Sequence, residues 1–170
     1  MWQRGLFGFI IAAVIIGIVG WLRWDRDLWQ IKRRSEQLAQ TLHKEPGEGL
    51  LTLAQRAGKI TDFFAQSPNI IAGDPLPAIA SREELISIAS ASLQAAKRLT
   101  TRMLERDVQW LHPHTAAVMY VTLEVAAEGL GERQTQQHCY ELKWTHEDGQ
   151  WVIASVHPSE NLHRPARSGH

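Results

Sequence analysis

The side chains with the chemistry needed for proton transfer lie in the second half of the sequence. They are two carboxylates and two phenols: Glu105, Asp107, Tyr120 and Tyr140. In an apolar cavity a carboxylate can remove a proton from a substrate, and a hydroxyl group can stabilise the oxyanion that develops. The structural alternative is that the carboxylates, which stand beside Arg102 and Arg106 in "RMLERD", lie on a solvated outer face of a sheet. We favour this alternative and keep the four residues as candidates for catalysis.

Three side chains on the same segments are candidates for ligand binding: His138, Tyr140 and His157. The structural alternative for His157, which we favour, is a histidine that hydrogen-bonds at the end of the core. His138 precedes Cys139, but adjacent strand residues point to opposite faces. Cys139 is therefore interpreted as a small buried apolar side chain. The turn "HPH" at residues 112–114 has two imidazoles and no third ligand nearby in the sequence, so no metal site is predicted.

The sequence contains none of the common motifs that bind phosphates or cofactors. The patterns "GxxxxGK[ST]" and "GxGxxG" do not occur, and neither does the "HExxH" zinc motif. The 18 basic and 18 acidic side chains balance to a net charge of zero, so no overall positive field favours nucleic acid. We therefore predict no cofactor, no metal and no nucleic-acid partner.

Apolar residues at three- and four-residue steps predict helices in the first half of the chain. One such helix covers residues 50–64 and ends before Pro68, which cannot continue a helix. Another begins at "SREE", where Ser81 can cap the helix and Glu84 can complete a capping box. Between them, "NIIAGDPLP" at residues 69–77 predicts a short extended segment whose prolines suit an edge strand.

After residue 97 the period of the apolar residues changes from helical to strand-like. Four alternating segments are separated by short turns: residues 98–111, 116–128, 133–145 and 151–158. Short turns between such segments predict an antiparallel meander. Together with the helices, the meander predicts an α+β fold in which a curved antiparallel sheet wraps over three helices as a cone.

The last strand follows a tight turn at Asp148 and Gly149, residues that supply the positive φ angles of a two-residue hairpin. Strict alternation would place four side chains of this strand on one face: Trp151, Ile153, Ser155 and His157. Trp144 and Trp151 flank the turn on paired strands. Their rings are therefore predicted to cover one end of the core.

An uncharged run at residues 5–22 predicts one membrane-spanning helix near the N-terminus, because 18 helical residues cover about the thickness of the hydrocarbon core. Trp2, Trp21 and Trp24 flank the run as an interfacial aromatic belt would. A cleaved signal peptide is the alternative, but no Ala-x-Ala site follows the run. Basic residues after the run favour a cytoplasmic domain, whereas the short N-terminal tail is typical of a signal anchor. We expect a single-pass protein of the cell's inner membrane with an extracytoplasmic domain.

These patterns divide the chain into four predicted regions. They are a transmembrane anchor at residues 1–24, a helical stalk or linker at 25–49, a folded domain at 50–160 and a flexible tail at 161–170. The stalk is predicted because its apolar stripe is thin and "EPGEG" ends the helix.

The motif "WxxxDGQWxIxxxHxS" at residues 144–159 follows a helical first half. This combination resembles the nuclear transport factor 2-like superfamily, also described as SnoaL-like or cystatin-like, over roughly residues 50–159. That superfamily includes ketosteroid isomerases, polyketide cyclases, dehydratases, kinase association domains and secretion-system scaffolds. The resemblance implies the cone fold, with His157 near the mouth of any cavity, and it does not choose among these functions.

From this layout we expect a membrane-anchored, non-catalytic domain that binds a partner protein, a second copy of itself or a small apolar ligand. The alternative is a proton-transfer enzyme of isomerase, cyclase or dehydratase type acting on an apolar substrate. A deep apolar pocket that holds a carboxylate beside Tyr120 or Tyr140 would favour the enzyme. A cone filled by Met119, Trp144 and Trp151 would favour the scaffold.

Overall fold

The described residues form three helices and one five-stranded sheet. A computed structural model describes residues 26–73, 77–128 and 133–159. The helices are α1 (26–42), α2 (Leu50–Thr61) and α3 (Arg82–Ala95), and the strands are β1 (Phe64–Ile70), β2 (Arg98–His112), β3 (Ala116–Glu128), β4 (Arg133–Glu147) and β5 (Gln150–Pro158). The predicted span at 5–22 and the predicted tail at 161–170 lie outside the described residues. Among the described helices, none combines the length and apolarity needed to cross a bilayer.

The strands are arranged in the order β1-β5-β4-β3-β2. Strands β2 to β5 pair antiparallel in chain order, which confirms the predicted meander. Strand β1 pairs in parallel with β5 at the edge of the sheet, where the missing N–H of Pro68 leaves no gap inside a ladder. The helices pack on one face of the sheet, which we call the inner face, and this confirms the predicted α+β cone.

The hydrophobic core lies between the helices and the inner face. The helices contribute apolar residues at helical spacing: Ile31 and Leu38 from α1, Leu53, Ala57 and Ile60 from α2, and Leu85 and Leu93 from α3. The sheet contributes alternate positions of its central strands: Ala117, Met119, Val121, Leu142, Trp144, Trp151 and Ile153. Because alternate residues of a strand face opposite sides, the remaining positions form the outer face.

Helix α1 belongs to the folded domain, which corrects the prediction of a stalk at residues 25–49. Ile31 is fully buried in the core. Glu36 Oε1 accepts a hydrogen bond at 2.7 Å from Nη1 of Arg106 on β2. The apolar stripe of α1 is thin because part of its buried surface is polar: Ser35 is also fully buried. From the sequence, a thin stripe of this kind predicts a solvated helix. Only the packing against the sheet shows that this side of α1 faces the core.

Both ends of α3 are capped by side chains. The hydroxyl Oγ of Ser81 accepts a hydrogen bond from the N–H of Glu84 at 3.2 Å, and Glu84 Oε2 accepts one from the N–H of Ala80 at 2.8 Å. The predicted N-terminal cap is therefore present. At the other end, the buried Lys44 donates from Nζ to two carbonyl oxygens, where a cation complements the helix dipole.

Helix α2 ends at Thr61, earlier than the predicted boundary at residue 64. Phe63 and Phe64 are both buried, and Phe64 opens β1 opposite Ile153 of β5. Two adjacent buried phenylalanines fit the end of a helix or the start of a strand equally well. Pairing with β5 decides between the two.

A β-bulge in β2 changes which of its side chains reach the inner face. Met103 pairs with Leu123, whereas Glu105 pairs with Thr122, so Leu104 is an extra residue in the strand. One extra residue shifts the alternation of all the positions that follow it.

A second bulge lies in β5. Trp144 pairs with Ile153 and Lys143 pairs with Ser155, so Ala154 is the extra residue. The prediction that one face carries Trp151, Ile153, Ser155 and His157 is therefore wrong. Residues 151 and 153 face the core, and residues 155 and 157 lie on the outer face.

Candidate functional site

The centre of the inner face, where a catalytic pocket of this cone would lie, is filled by side chains. Met119 and Trp151 are completely buried, and Trp144 is 1% exposed. The rings of Trp110 and Trp151 lie tilted against each other, with centroids 5.6 Å apart. Met119, Trp144 and Trp151, the side chains whose burial in the cone would favour the scaffold, therefore belong to one closely packed core.

Two of the predicted ligand-binding residues, His138 and Tyr140, lie at one end of the inner face. Their ring centroids are 6.2 Å apart. The hydroxyl of Tyr140 donates to the carbonyl oxygen of Ala72 at 3.4 Å, and Nε2 of the exposed His138 lies 3.1 Å from Oε1 of Gln136. Burial raises the pKa of Tyr140. This pair could contact a ligand, but no carboxylate of the described residues hydrogen-bonds to Tyr140 as a base would.

Three other predicted site residues lie together on the outer face. The register places Asp107 opposite Tyr120, Tyr120 opposite Glu141, and Glu141 opposite His157. Residues directly opposite on neighbouring antiparallel strands have Cβ atoms about 5 Å apart. These four side chains therefore form a single line across β2, β3, β4 and β5, which we call the outer row.

The outer row is a charged surface rather than an enclosed acid–base site. Lys143 Nζ lies 3.7 Å from Glu141 Oε1, and Gln109 Nε2 donates to Asp107 Oδ2 at 3.1 Å. Desolvation raises the pKa of Tyr120, and the nearby carboxylates of Glu141 and Asp107 raise it further. A general base for carbon acids works in a cavity that excludes water, and Asp107 is solvent-exposed.

The two bulges explain why the site residues predicted from the sequence lie on different faces of the sheet. The expected position of His157 near a cavity mouth is corrected, because the bulge at Ala154 turns it to the outer face. The bulge at Leu104 gives Glu105 a backbone partner in Thr122 and places Asp107 on the outer face. Sequence reasoning missed Glu141, since no local motif marks it and its role comes only from the register.

A partly buried polar contact that the sequence did not reveal joins α1 to the β2–β3 turn and to β5. Asp27 Oδ2 lies 2.6 Å from His114 Nδ1, and Asp27 Oδ1 accepts a hydrogen bond from Trp151 Nε1 at 3.4 Å. His114 has a φ angle of 61°, in the left-handed region. We call this contact the Asp27 clasp. No group of three or more metal-ligating side chains occurs among the described residues.

Both tyrosines are expected to titrate above the ordinary phenol pKa of about 10. Tyr120 and Tyr140 are the two tyrosines of the sequence, and the pKa of each is raised in the folded chain. Because unfolding lowers these pKa values, the two tyrosines contribute to the free energy of unfolding. Their contribution should be complete below a pH of about 10 and should be lost as the pH rises through the pKa values of the folded protein. Ultraviolet absorbance of the phenolate measures both transitions, and Tyr120→Phe should leave only that of Tyr140. Coincident titrations of native and denatured protein would contradict the burial described for both side chains.

Comparison with known families finds a match to part of the sequence. Residues 87–161 match the family described as the calcium/calmodulin dependent protein kinase II association domain. A search of curated protein sequences finds no match.

Comparison with solved structures shows the fold. The association domain of calcium/calmodulin dependent protein kinase II from C. elegans is 18% identical with a TM-score of 0.60, covering 81% of this chain and 98% of that one. A nuclear transport factor 2-like protein with a cystatin-like fold from Novosphingobium aromaticivorans is 10% identical with a TM-score of 0.66, covering 88% and 90%. An uncharacterised protein with a cystatin-like fold from Caulobacter vibrioides is 12% identical with a TM-score of 0.61, covering 79% and 89%. The chain has the nuclear transport factor 2-like cone that its sequence resembles.

Proposed function

We propose that this chain is a membrane-anchored, non-catalytic association domain that binds a second copy of itself. The observation that carries the proposal is the filled inner face, where Met119, Trp144 and Trp151 are buried in one hydrophobic cluster. The acid–base candidates Asp107 and Tyr120 lie on the opposite face of the sheet. An enzyme of this fold needs a cavity that holds such groups around a substrate, whereas an assembly surface needs none.

The match to a kinase association domain over residues 87–161 supports an assembly role. The matched residues include most of α3 and the four long strands, which carry the whole outer row. The fold by itself does not choose a function, so the filled core is the stronger support.

The outer face of the sheet is the surface that we assign to the contact between two copies. The described helices pack on the inner face, and the outer face spans four paired strands of nine to fifteen residues. Its outer row combines the carboxylates of Asp107 and Glu141 with His157, and Lys143 Nζ lies 3.7 Å from Glu141 Oε1. Two copies of a surface with both signs of charge can pair through an isologous contact.

The membrane part of the proposal depends on the uncharged run at residues 5–22. A helix over this run would hold the domain to the inner membrane as a single-pass protein, on the extracytoplasmic side. Washing membranes with alkaline carbonate tests the anchor. The full chain should stay in the membrane pellet, and deletion of residues 5–22 should release it. A full chain that the wash releases would contradict the anchor.

The assembly is tested by sedimentation velocity of the full-length chain in a nonionic detergent. We expect a dimer or larger assembly, and we expect Glu141→Lys to weaken association at least tenfold by reversing the sign of one carboxylate in the outer row. The matched control is Glu83→Lys on the exposed first turn of α3, which should associate like the wild type. A wild-type chain that stays monomeric at all concentrations would contradict the proposed self-association.

A further inference from the structure

A groove runs between α1 and the β4–β5 hairpin at one end of the domain. Its volume is about 290 Å³, and its lining includes Trp29, Arg33, Arg34 and Gln150. We call it the α1–hairpin groove. The lining contains two guanidinium groups and no carboxylate, so its chemistry favours an anion.

The two arginines of the groove differ in what they already bind. Arg34 donates from Nη1 to Gln150 Oε1 at 3.1 Å and from Nη2 to the carbonyl oxygen of Asp62 at 2.5 Å. The first bond holds the hairpin against α1, and the second holds the end of α2 against α1. Desolvation lowers the pKa of Arg34. Arg33 instead lies with Cζ 4.9 Å from the centroid of the Trp29 ring. None of the ion pairs among the described residues includes Arg33, so its charge is available to an anion.

Trp29 stands at the rim of the groove and is 58% exposed. A tryptophan ring is apolar apart from one N–H, which suits the boundary between headgroups and acyl chains, and a guanidinium stacked on the ring adds a positive charge that can face the headgroups. Trp29 and Arg33 are one helical turn apart, so both project from the same side of α1.

The position of the groove along the chain brings it close to the predicted membrane span. The described part of α1 begins at residue 26, four residues after the end of the span at 22. Four residues reach at most about 14 Å even when fully extended. The first turns of α1, which carry Trp29 and Arg33, must then lie near the headgroup layer if the span is in the bilayer.

We propose that the α1–hairpin groove binds the phosphate of an anionic phospholipid headgroup, with Arg33 as its main contact. This inference depends on the membrane anchoring proposed above. Arg33 would pair with the phosphate, Arg34 would hold the floor of the groove, and Trp29 would lie among the glycerol and acyl carbons. The lipid contact would fix how the domain sits on the bilayer, because it would add a second point of attachment to the proposed anchor.

The test is native mass spectrometry of the full-length chain in nonionic detergent, titrated with dioleoyl phosphatidylglycerol or with dioleoyl phosphatidylcholine. We expect tighter binding of phosphatidylglycerol, and we expect Arg33→Gln to weaken it about tenfold by removing a charged hydrogen bond. The matched control is Lys32→Gln, which removes the same charge from an exposed neighbour outside the groove. The control should bind phosphatidylglycerol as the wild type does.

The possible outcomes test the lipid-binding groove and the membrane anchor separately. Equal binding by wild type and Arg33→Gln, or equal losses in Arg33→Gln and Lys32→Gln, would overturn the groove as the site. Inorganic phosphate that binds as tightly as the lipid would overturn the lipid assignment. Release of the wild-type chain by the carbonate wash would contradict the anchor, whatever the lipid titration shows.

Discussion

Replacing Trp151 by alanine is expected to lower the free energy of unfolding by about 3–5 kcal/mol. The side chain is fully buried. The centroid of its ring lies 5.6 Å from that of Trp110 and 5.3 Å from that of His146. Alanine would leave a cavity that the paired strands around it cannot close. Urea unfolding of the full-length chain in detergent, followed by circular dichroism of the backbone, should show a lower midpoint at unchanged slope.

Two variants make this result specific. Trp29→Ala removes the same side chain from a position that is 58% exposed, and it should change the free energy of unfolding by about 0.5 kcal/mol or less. Trp151→Phe keeps an aromatic ring in the core and should recover about half of the loss. If Trp151→Ala were as stable as Trp29→Ala, the filled core would be wrong, and the main support for a non-catalytic role would be lost.

Replacing Asp27 by alanine is expected to lower the free energy of unfolding by about 2–3 kcal/mol. Its carboxylate lies 2.6 Å from His114 Nδ1 and accepts from Trp151 Nε1 at 3.4 Å. Alanine would remove the acceptor that both donors share and would loosen the start of α1 from the sheet. The same urea titration measures the loss.

The Asp27 prediction also tests whether α1 is part of the domain. Asp27→Asn keeps the shape and one oxygen acceptor, so it should cost less than alanine. Glu83→Ala removes an exposed carboxylate from α3 and should cost about 0.5 kcal/mol or less. If Asp27→Ala were no more costly than Glu83→Ala, α1 would behave as an independent stalk, as the sequence alone suggested.

Local patterns predicted the elements because the forces that set them are local. The Ser81 side chain satisfies the N–H group of Glu84, three residues further along the chain. Asp148 and Gly149 adopt φ angles of 49° and 81° in the hairpin, as their types favour. The change of apolar period after residue 97 marked the four long strands within one or two residues of their ends.

The candidate site could not be predicted in the same way, because it depends on the pairing of strands. Asp107 and His157 each follow a bulge, at Leu104 and at Ala154. The position of a bulge depends on the pairing with the neighbouring strand, and no residue pattern within the strand itself marks it. Strict alternation therefore placed His157 on the wrong face of the sheet, and it left the face of Asp107 undecided.

By itself, the sequence of this protein determined the order of its helices and strands, the turns between β2 and β5, and the large aromatic side chains that fill the core. Only the tertiary structure decided that α1 belongs to the domain and that Asp107, Tyr120 and His157 line the outer face. The physical reason is the range of the interactions. Caps, turns and periodicity act over a few neighbouring residues, whereas register and helix packing depend on contacts between residues far apart in the chain.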